Sequence, residues 1–387
     1  MKVSEALYQL EQNQVRIQSV KPDRIRLGLQ DRDLEQMRAA LVLGPRGTGK
    51  TTLLLDACRK ERLLYVPADF PLVARFGIWE IAEEAFRCGY SGVAVDEVHF
   101  VRSWSQDLKA VYDSYPRAKI YASDSSSLVL RKGIADLSRR FPRVKVPLLS
   151  FREFIHLKTG EVPPKFSFLE TTDPCFEILQ QVNVLRLFRE YLEVGFRPIF
   201  LEGEYHARLL DIVEKTIFFD IPFLLPQVQD RYLTVLNAIM GYLATSRKPS
   251  LNIESLSREW SIGKDKLYEL LTALEHVELI SIVRYKSDVK AAGKGAKIFF
   301  SDPTFYAALG GHVGNVRESF VACMMRQSGG LIYACKDERS GDFVVNDMVL
   351  EIGGKNKKRK QAQFVIRDDI ESPSRDVIPL WALGFLY

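Results

Sequence analysis

The sequence is poor in the features that mark secreted, metal-clipped or membrane proteins. It has five cysteines and five histidines in 387 residues. Cys58, Cys88, Cys175, Cys323 and Cys335 are scattered, with no CxxC pair and no histidine cluster beside them. That spacing argues against a zinc site and a disulfide framework, and points to a reduced, cytosolic chain. No apolar run approaches the ~20 residues needed to cross a bilayer. The best candidate, residues 217–225, is interrupted by Asp220 and Pro222. The opening MKVSEALYQLEQNQ turns polar too early for a secretory signal, so a soluble protein is expected. Repeats and long low-complexity tracts are also missing.

What remains is ordinary globular material: 47% hydrophobic and 27% charged residues, enough at this length for two or three domains. The net charge of +5 tolerates nucleic acid without requiring it. Four regions separate by pattern. Residues 1–157 alternate short apolar runs (39–43, 63–67, 92–95, 119–122 and 144–148) with helical stretches. Continuous apolar runs between helices predict a buried parallel sheet and an α/β fold. Residues 158–230 read as helical, with apolar spacing of three to four over 177–194 and 205–219. Residues 231–308 read as helix, helix, turn, helix and a two-stranded ribbon. Residues 315–387 read as one helix followed by several strands. The polar, glycine-rich stretch 303–314 reads as a linker.

The first region carries GPRGTGKT at 44–51, which satisfies GxxxxGK[ST]. Such a match arises by chance in roughly 1 in 100 chains of this length. Here an apolar strand precedes it and a helix follows. Gly44, Gly47 and Gly49 let the backbone of Pro45, Arg46, Thr48 and their neighbours wrap a phosphate, and the N–H groups converge at a positive helix end. Lys50 reaches the β- and γ-phosphates, Thr51 offers a hydroxyl to Mg²⁺, and Thr52 continues the first turn. Downstream, the run 92–95 ends in Asp96-Glu97. Asp96 would hold the Mg²⁺ shell and Glu97 would polarise the attacking water of ATP hydrolysis. A further strand, 119–122, ends at Ser123, whose hydroxyl either touches the third phosphate or caps the next helix.

These stretches resemble the prokaryotic AAA-type P-loop ATPases whose C-terminal half carries a DUF4143 or restriction-nuclease-like domain. The resemblance lies in GPRGTGKTTLL, VAVDEVHF, SDSSSLVL, LSRRF and LLSFREF, covers about the first 225 residues, and returns near 350. YLEVGFRP and KTIFFDIP look like that family's helical lid. The resemblance implies ATP and Mg²⁺ as ligands. It places Arg140 at the position of an arginine that completes a neighbouring subunit's site, which would make the protein a homo-oligomer; the bland alternative is a surface charge. The chain departs from the family pattern at Asp124, where glycine is usual, and at Ser138-Arg139.

Residues 252–301 fit a winged helix, with helices at 252–259 and 264–277 and ribbon strands at 279–285 and 296–301. On the second helix, Lys264 and Lys266 are outnumbered by Asp265, Glu269, Glu275 and Glu278. The ribbon is basic, so Lys286, Lys290 and Lys294 are candidates for phosphate contact, and docking to a protein is the alternative. In the last region, Asp342 and Glu351 resemble the Mg²⁺-binding acids of PD-(D/E)XK nucleases, with Glu318 on the preceding helix. The motif lysine belongs two residues after the glutamate, where this chain has Gly353. Lys355 could take over that role, or the site could be inactive. The basic run 355–360, with Lys355 and Lys357, could also meet nucleic-acid phosphates. The expectation is Mg-dependent ATP hydrolysis driving or gating action on nucleic acid or a protein partner. Its rivals are an ATP-gated DNA-binding regulator and an ATP-controlled nuclease.

Overall fold

Alternate residues of each strand in the first sheet face opposite sides, and both sides are apolar. The computed structural model describes residues 2–20, 24–30, 34–124, 137–167, 172–225, 228–247, 250–286, 296–337 and 339–387. It divides into two compact units, Met1–Pro147 and Leu148–Tyr387. In the first unit, β1 (Ala39–Leu43), β2 (Leu63–Pro67), β3 (Gly92–Asp96), β4 (Lys119–Asp124) and β5 (Arg143–Lys145) form one sheet in the order β2-β3-β4-β1-β5. Every pairing is parallel.

Ala39, Leu41, Leu64, Val66, Val93, Val95 and Ile120 join one core with side chains from α1 (Val3–Gln18), α3 (Pro71–Arg87) and α4 (Trp104–Ser114). Ala40, Val42, Leu63, Tyr65, Ala94 and Tyr121 join another with Leu53, Leu54 and Ala57 of α2 (Lys50–Lys60). Helices on both faces explain why the strands read as unbroken apolar runs. The fifth strand is shorter than expected and lies at 143–145 instead of 144–148. Pro147 has no N–H with which to extend the ladder. Because β4 lies between β3 and β1, the loops leaving the carboxyl ends of these three strands emerge side by side, the usual place for a ligand in such a sheet.

The second unit begins with α5 (Phe151–Thr159), which the sequence pattern had joined to the first region. The helical stretch over 177–194 is two helices, α6 (Thr172–Gln181) and α7 (Val184–Val194). Asn183 separates them, its side chain accepting from Arg186 N–H to cap the second. Helix α8 (Tyr205–Lys215) leads into a π-helical turn, Thr216–Asp220. After α9 (Asp230–Thr245) come α10 (Ile253–Glu259), α11 (Lys264–His276) and an antiparallel ribbon of β6 (Ile280–Val283) and β7 (Lys297–Phe300).

The stretch 303–314 is not a linker. It holds α12 (Thr304–Leu309) and the start of α13 (Val313–Gln327), and Thr304, Phe305 and Tyr306 are buried. Tyr306 packs on Phe300 with ring centroids 4.7 Å apart. The last sheet runs β12-β11-β10-β9-β8, from β8 (Ile332–Ala334), β9 (Phe343–Val345), β10 (Met348–Gly353), β11 (Phe364–Arg367) and β12 (Val377–Pro379). The β10–β11 and β11–β12 pairings are parallel, the other two antiparallel. One core takes side chains from all three segments of this unit: Phe188 and Tyr191, Phe299 of the ribbon, and Phe320, Phe343 and Trp381 beyond it.

Candidate functional site

The loop between β1 and α2 has the backbone that its glycines allow. Gly47 (φ 72°) and Gly49 (φ 95°) are left-handed, a region open to glycine at little cost. A Cβ on Gly44 would stand 2.2 Å from the Val146 carbonyl oxygen, so the chain just after β5 leaves no room for a side chain there. Thr48 Oγ1 donates to the Pro45 carbonyl at 2.9 Å. Arg26, buried, donates to the Thr48 carbonyl at 2.7 Å and the Pro147 carbonyl at 2.8 Å, fastening the loop from outside. Lys50 Nζ is buried and donates to the carbonyls of Gly44 (2.8 Å) and Pro45 (2.7 Å). Burial pulls its pKa down to about 8, against the attraction of Asp96, Glu97 and Asp124. Thr51, in the first turn of α2, is exposed, and Thr52 is half-buried behind it.

Asp96, buried at the end of β3, meets three hydroxyls. Thr51 Oγ1 and Tyr65 OH each donate to Oδ2 at 2.7 Å, and Ser123 Oγ donates to Oδ1. Burial, and then the Asp96 charge, push the Tyr65 phenol far above its ordinary range, so it stays a donor. Glu97 has a left-handed backbone (φ 51°, ψ 53°), and its N–H donates to Ser123 Oγ at 3.3 Å. Its carboxylate meets Arg46 of the loop, NH1 to Oε1 2.9 Å. Next to these, His99 Nδ1 lies 3.1 and 3.2 Å from the two oxygens of Asp124, both residues buried. Loop, acid pair and Ser123 thus converge.

Residues 36–155 match the family model of an AAA domain. No curated protein matches the chain. Among solved structures, a Walker-type ATPase of Pyrococcus abyssi is similar at 15% identity over 73% of this chain and 93% of its own, with a TM-score of 0.42. A RuvB variant of Thermotoga maritima is similar at 12% identity over 67% and 87%, with a TM-score of 0.30. The AAA domain and its P-loop support nucleotide binding and ATP hydrolysis by an AAA-type ATPase. Mg²⁺ fits the donor set, because the Thr51 hydroxyl and the Asp96 carboxylate are hard oxygen ligands beside the phosphate loop.

Around the AAA domain's site, Arg26, Tyr65, the Arg46–Glu97 contact and the His99–Asp124 pair escaped the sequence reading. Asp124 alone carried a signal, as a departure from the family pattern, with a histidine two residues past the acid pair to answer it. Arg140 makes an exposed pair with Asp113 of the same unit, through Nε at 2.8 Å and NH2 at 3.0 Å. That hydrogen bond is the main reason the Asp113 carboxyl sits below its ordinary value. The serines 125–127 lie outside the described residues.

In the second unit, Lys297 of β7 lies between Glu318 of α13 (2.6 Å) and Asp342 (3.2 Å). Asp342 Oδ2 also accepts from Ile352 N–H at 2.8 Å. Burial works against the Lys297 charge, but the two acids prevail and its pKa is raised. The buried Glu351 meets Lys357 Nζ at 2.8 Å and Lys360 Nζ at 2.9 Å, while Lys355 stays exposed. The Lys357 chain crosses the space over Gly353, 2.5 Å from where a Cβ would stand. Each carboxylate of the cluster is therefore faced by ammonium groups. Among the described residues, no group of three or more His, Cys, Asp or Glu is placed to hold a metal ion. Lys286 pairs with Asp347, and Lys290 and Lys294 lie outside the described residues. No helix among the described residues is long and apolar enough to cross a membrane.

Proposed function

We propose that this chain is an Mg-dependent ATPase whose turnover drives or gates the action of residues 148–387 on a partner. The observation that carries the reading is the convergence on one sheet edge of Lys50, Thr51, Asp96, Glu97 and Ser123. Lys50 and the loop N–H groups neutralise phosphate charge. Asp96 and Thr51 would hold Mg²⁺, which supplies further charge neutralisation at the phosphates. The hydroxyls of Tyr65 and Ser123 fix the Asp96 carboxylate in place. Glu97 orients the attacking water. Lys50→Ala removes charge stabilisation from bound and transition states alike, and should abolish tight ATP binding. Glu97→Gln should retain binding and lose hydrolysis, because only the barrier rises. Equal ATPase rates for wild type and Glu97→Gln would reject the assignment.

The helix–turn–helix and ribbon over 252–301 support a winged-helix reading, and α13 with the last sheet supports kinship with the nuclease-like fold. Lysine neutralisation of Glu318, Asp342 and Glu351 argues against cleavage by that sheet. Lys286, Lys357 and Lys360 are engaged by acids, which leaves a weak basic surface. The partner reading that fits is therefore weak, sequence-indifferent contact with nucleic acid, or docking to a protein. Arg140 is the arginine we assign to a neighbouring subunit's site; its pairing with Asp113 is exposed and can be exchanged.

A further inference from the structure

We propose that Arg46 reads the third phosphate of ATP and, by turning to it, releases Glu97. The inference rests on the nucleotide-site reading above. Arg46 belongs to the phosphate loop itself, and its guanidinium holds Glu97 at 2.9 Å with the two side chains only 10% and 24% exposed. Glu97 has little freedom to move elsewhere. Its backbone is left-handed, its N–H is tied to Ser123, and it follows a strand paired to both neighbours. To orient water, this carboxylate must face the terminal phosphate. A guanidinium in contact with it therefore stands at the same end of the nucleotide, beside the third phosphate and not the first. The charge field of Lys50 is consistent with that crowding, since Asp96, Glu97, Asp124 and Arg46 all act on its ammonium.

Two anions then compete for one cation. With ADP, nothing arrives at that end of the loop, and Glu97 keeps Arg46 on one of its two oxygens. With ATP, a terminal phosphate bearing more than one negative charge and three acceptor oxygens arrives. A planar guanidinium binds phosphate through paired N–H···O bonds and favours it over a singly charged carboxylate. Arg46 moves to the phosphate and both Glu97 oxygens become available to water. The loop arginine thus acts as a specificity-determining residue that separates ATP from ADP and couples that choice to the base.

Competition predicts a thermodynamic cycle. A fluorescent non-hydrolysable ATP analogue and fluorescent ADP would be titrated into wild type, Glu97→Gln, Arg46→Gln and the double variant, each checked for native melting. Glu97→Gln no longer holds the arginine, so the ATP analogue should bind about fivefold tighter, the worth of a partly exposed ion pair. ADP affinity should stay unchanged. Arg46→Gln should lose most of the preference for the triphosphate, and in that background Glu97→Gln should bring no gain. A gain shared by both nucleotides, or one that persists without Arg46, would overturn the proposal in favour of simple repulsion between Glu97 and phosphate. A wild type that binds neither nucleotide would overturn the nucleotide-site reading and this inference with it.

Discussion

Lys50 carries its charge in a setting hostile to amines. It is buried, and desolvation lowers its pKa to about 8 despite three nearby acids. Phosphate needs the ammonium form, so above that pKa ATP binding must draw a proton from solvent. ATP affinity should be level below about pH 7 and should weaken as pH rises through about 8, approaching tenfold per unit beyond it. Arg in place of Lys50 stays charged over this range, so Lys50→Arg should flatten the profile whatever its absolute affinity. Fluorescence titration across this pH range tests this, and an equally steep profile in Lys50→Arg would assign the effect to another group. The loop lysine was legible from its motif, whereas its pKa was not. That value comes from burial of the ammonium against the Gly44 and Pro45 carbonyls, which outweighs the opposing pull of the acids at the ends of β3 and β4. Tyr65 shows the same limit: its hydroxyl finds Asp96 only because β2 and β3 pair in register, Tyr65 beside Ala94.

Between elements, the contact that overturned the linker expectation is an ion pair. Arg197 follows α7, and its Nε meets Asp302 Oδ2 at 2.7 Å with both side chains almost wholly buried. Asp302 Oδ1 in turn accepts from Thr304 N–H at 2.9 Å and Thr304 Oγ1 at 2.6 Å, setting the start of α12. The Arg197 guanidinium also lies 5.6 Å from the Phe305 ring centroid. Arg197→Ala strands a buried carboxylate and should cost about 3–5 kcal/mol, read by denaturant unfolding. Replacing both partners with apolar residues of similar volume, as in Arg197→Met with Asp302→Leu, should recover much of that loss. A cost below about 1 kcal/mol for the single variant would mean that water reaches Asp302. Glycines at 310, 311 and 314 made this stretch look like a linker, because composition does not reveal a buried partner 105 residues away.

For the molecule as a whole, two readings await solution tests. If Arg140 serves a neighbouring site, Arg140→Ala and Glu97→Gln subunits, each inactive alone, should regain some ATPase when mixed. Absence of rescue together with a monomeric mass in ATP would leave Arg140 as a surface partner of Asp113. The basic surface is open to a salt titration. Lys355 and Lys358 are exposed, whereas Lys286, Lys357, Arg359 and Lys360 face acids. With two engaged lysines, duplex DNA binding should be weak and fall with a log–log salt slope of about −1.8. A much steeper slope would mean the acid pairs open on binding. No binding even at low salt would favour a protein partner.

The sequence alone determined the nucleotide loop, the acid pair and the layered α/β sheet of the first unit. Local rules suffice for these: glycine at left-handed positions, apolar runs where both sheet faces are covered, and a fixed spacing from loop to lysine. Tertiary structure decided which side chains meet across the sheet edge. Arg46 reaches Glu97, three hydroxyls hold Asp96, and His99 answers Asp124 because β1, β3 and β4 end side by side. It also decided the state of the C-terminal acids. Asp342 and Glu351 read from spacing as a metal pair, yet ammonium groups from β7 and from the turn after β10 neutralise them. Spacing along a chain records which residues are near in sequence, while charge balance at a buried cluster depends on every strand that packs against it.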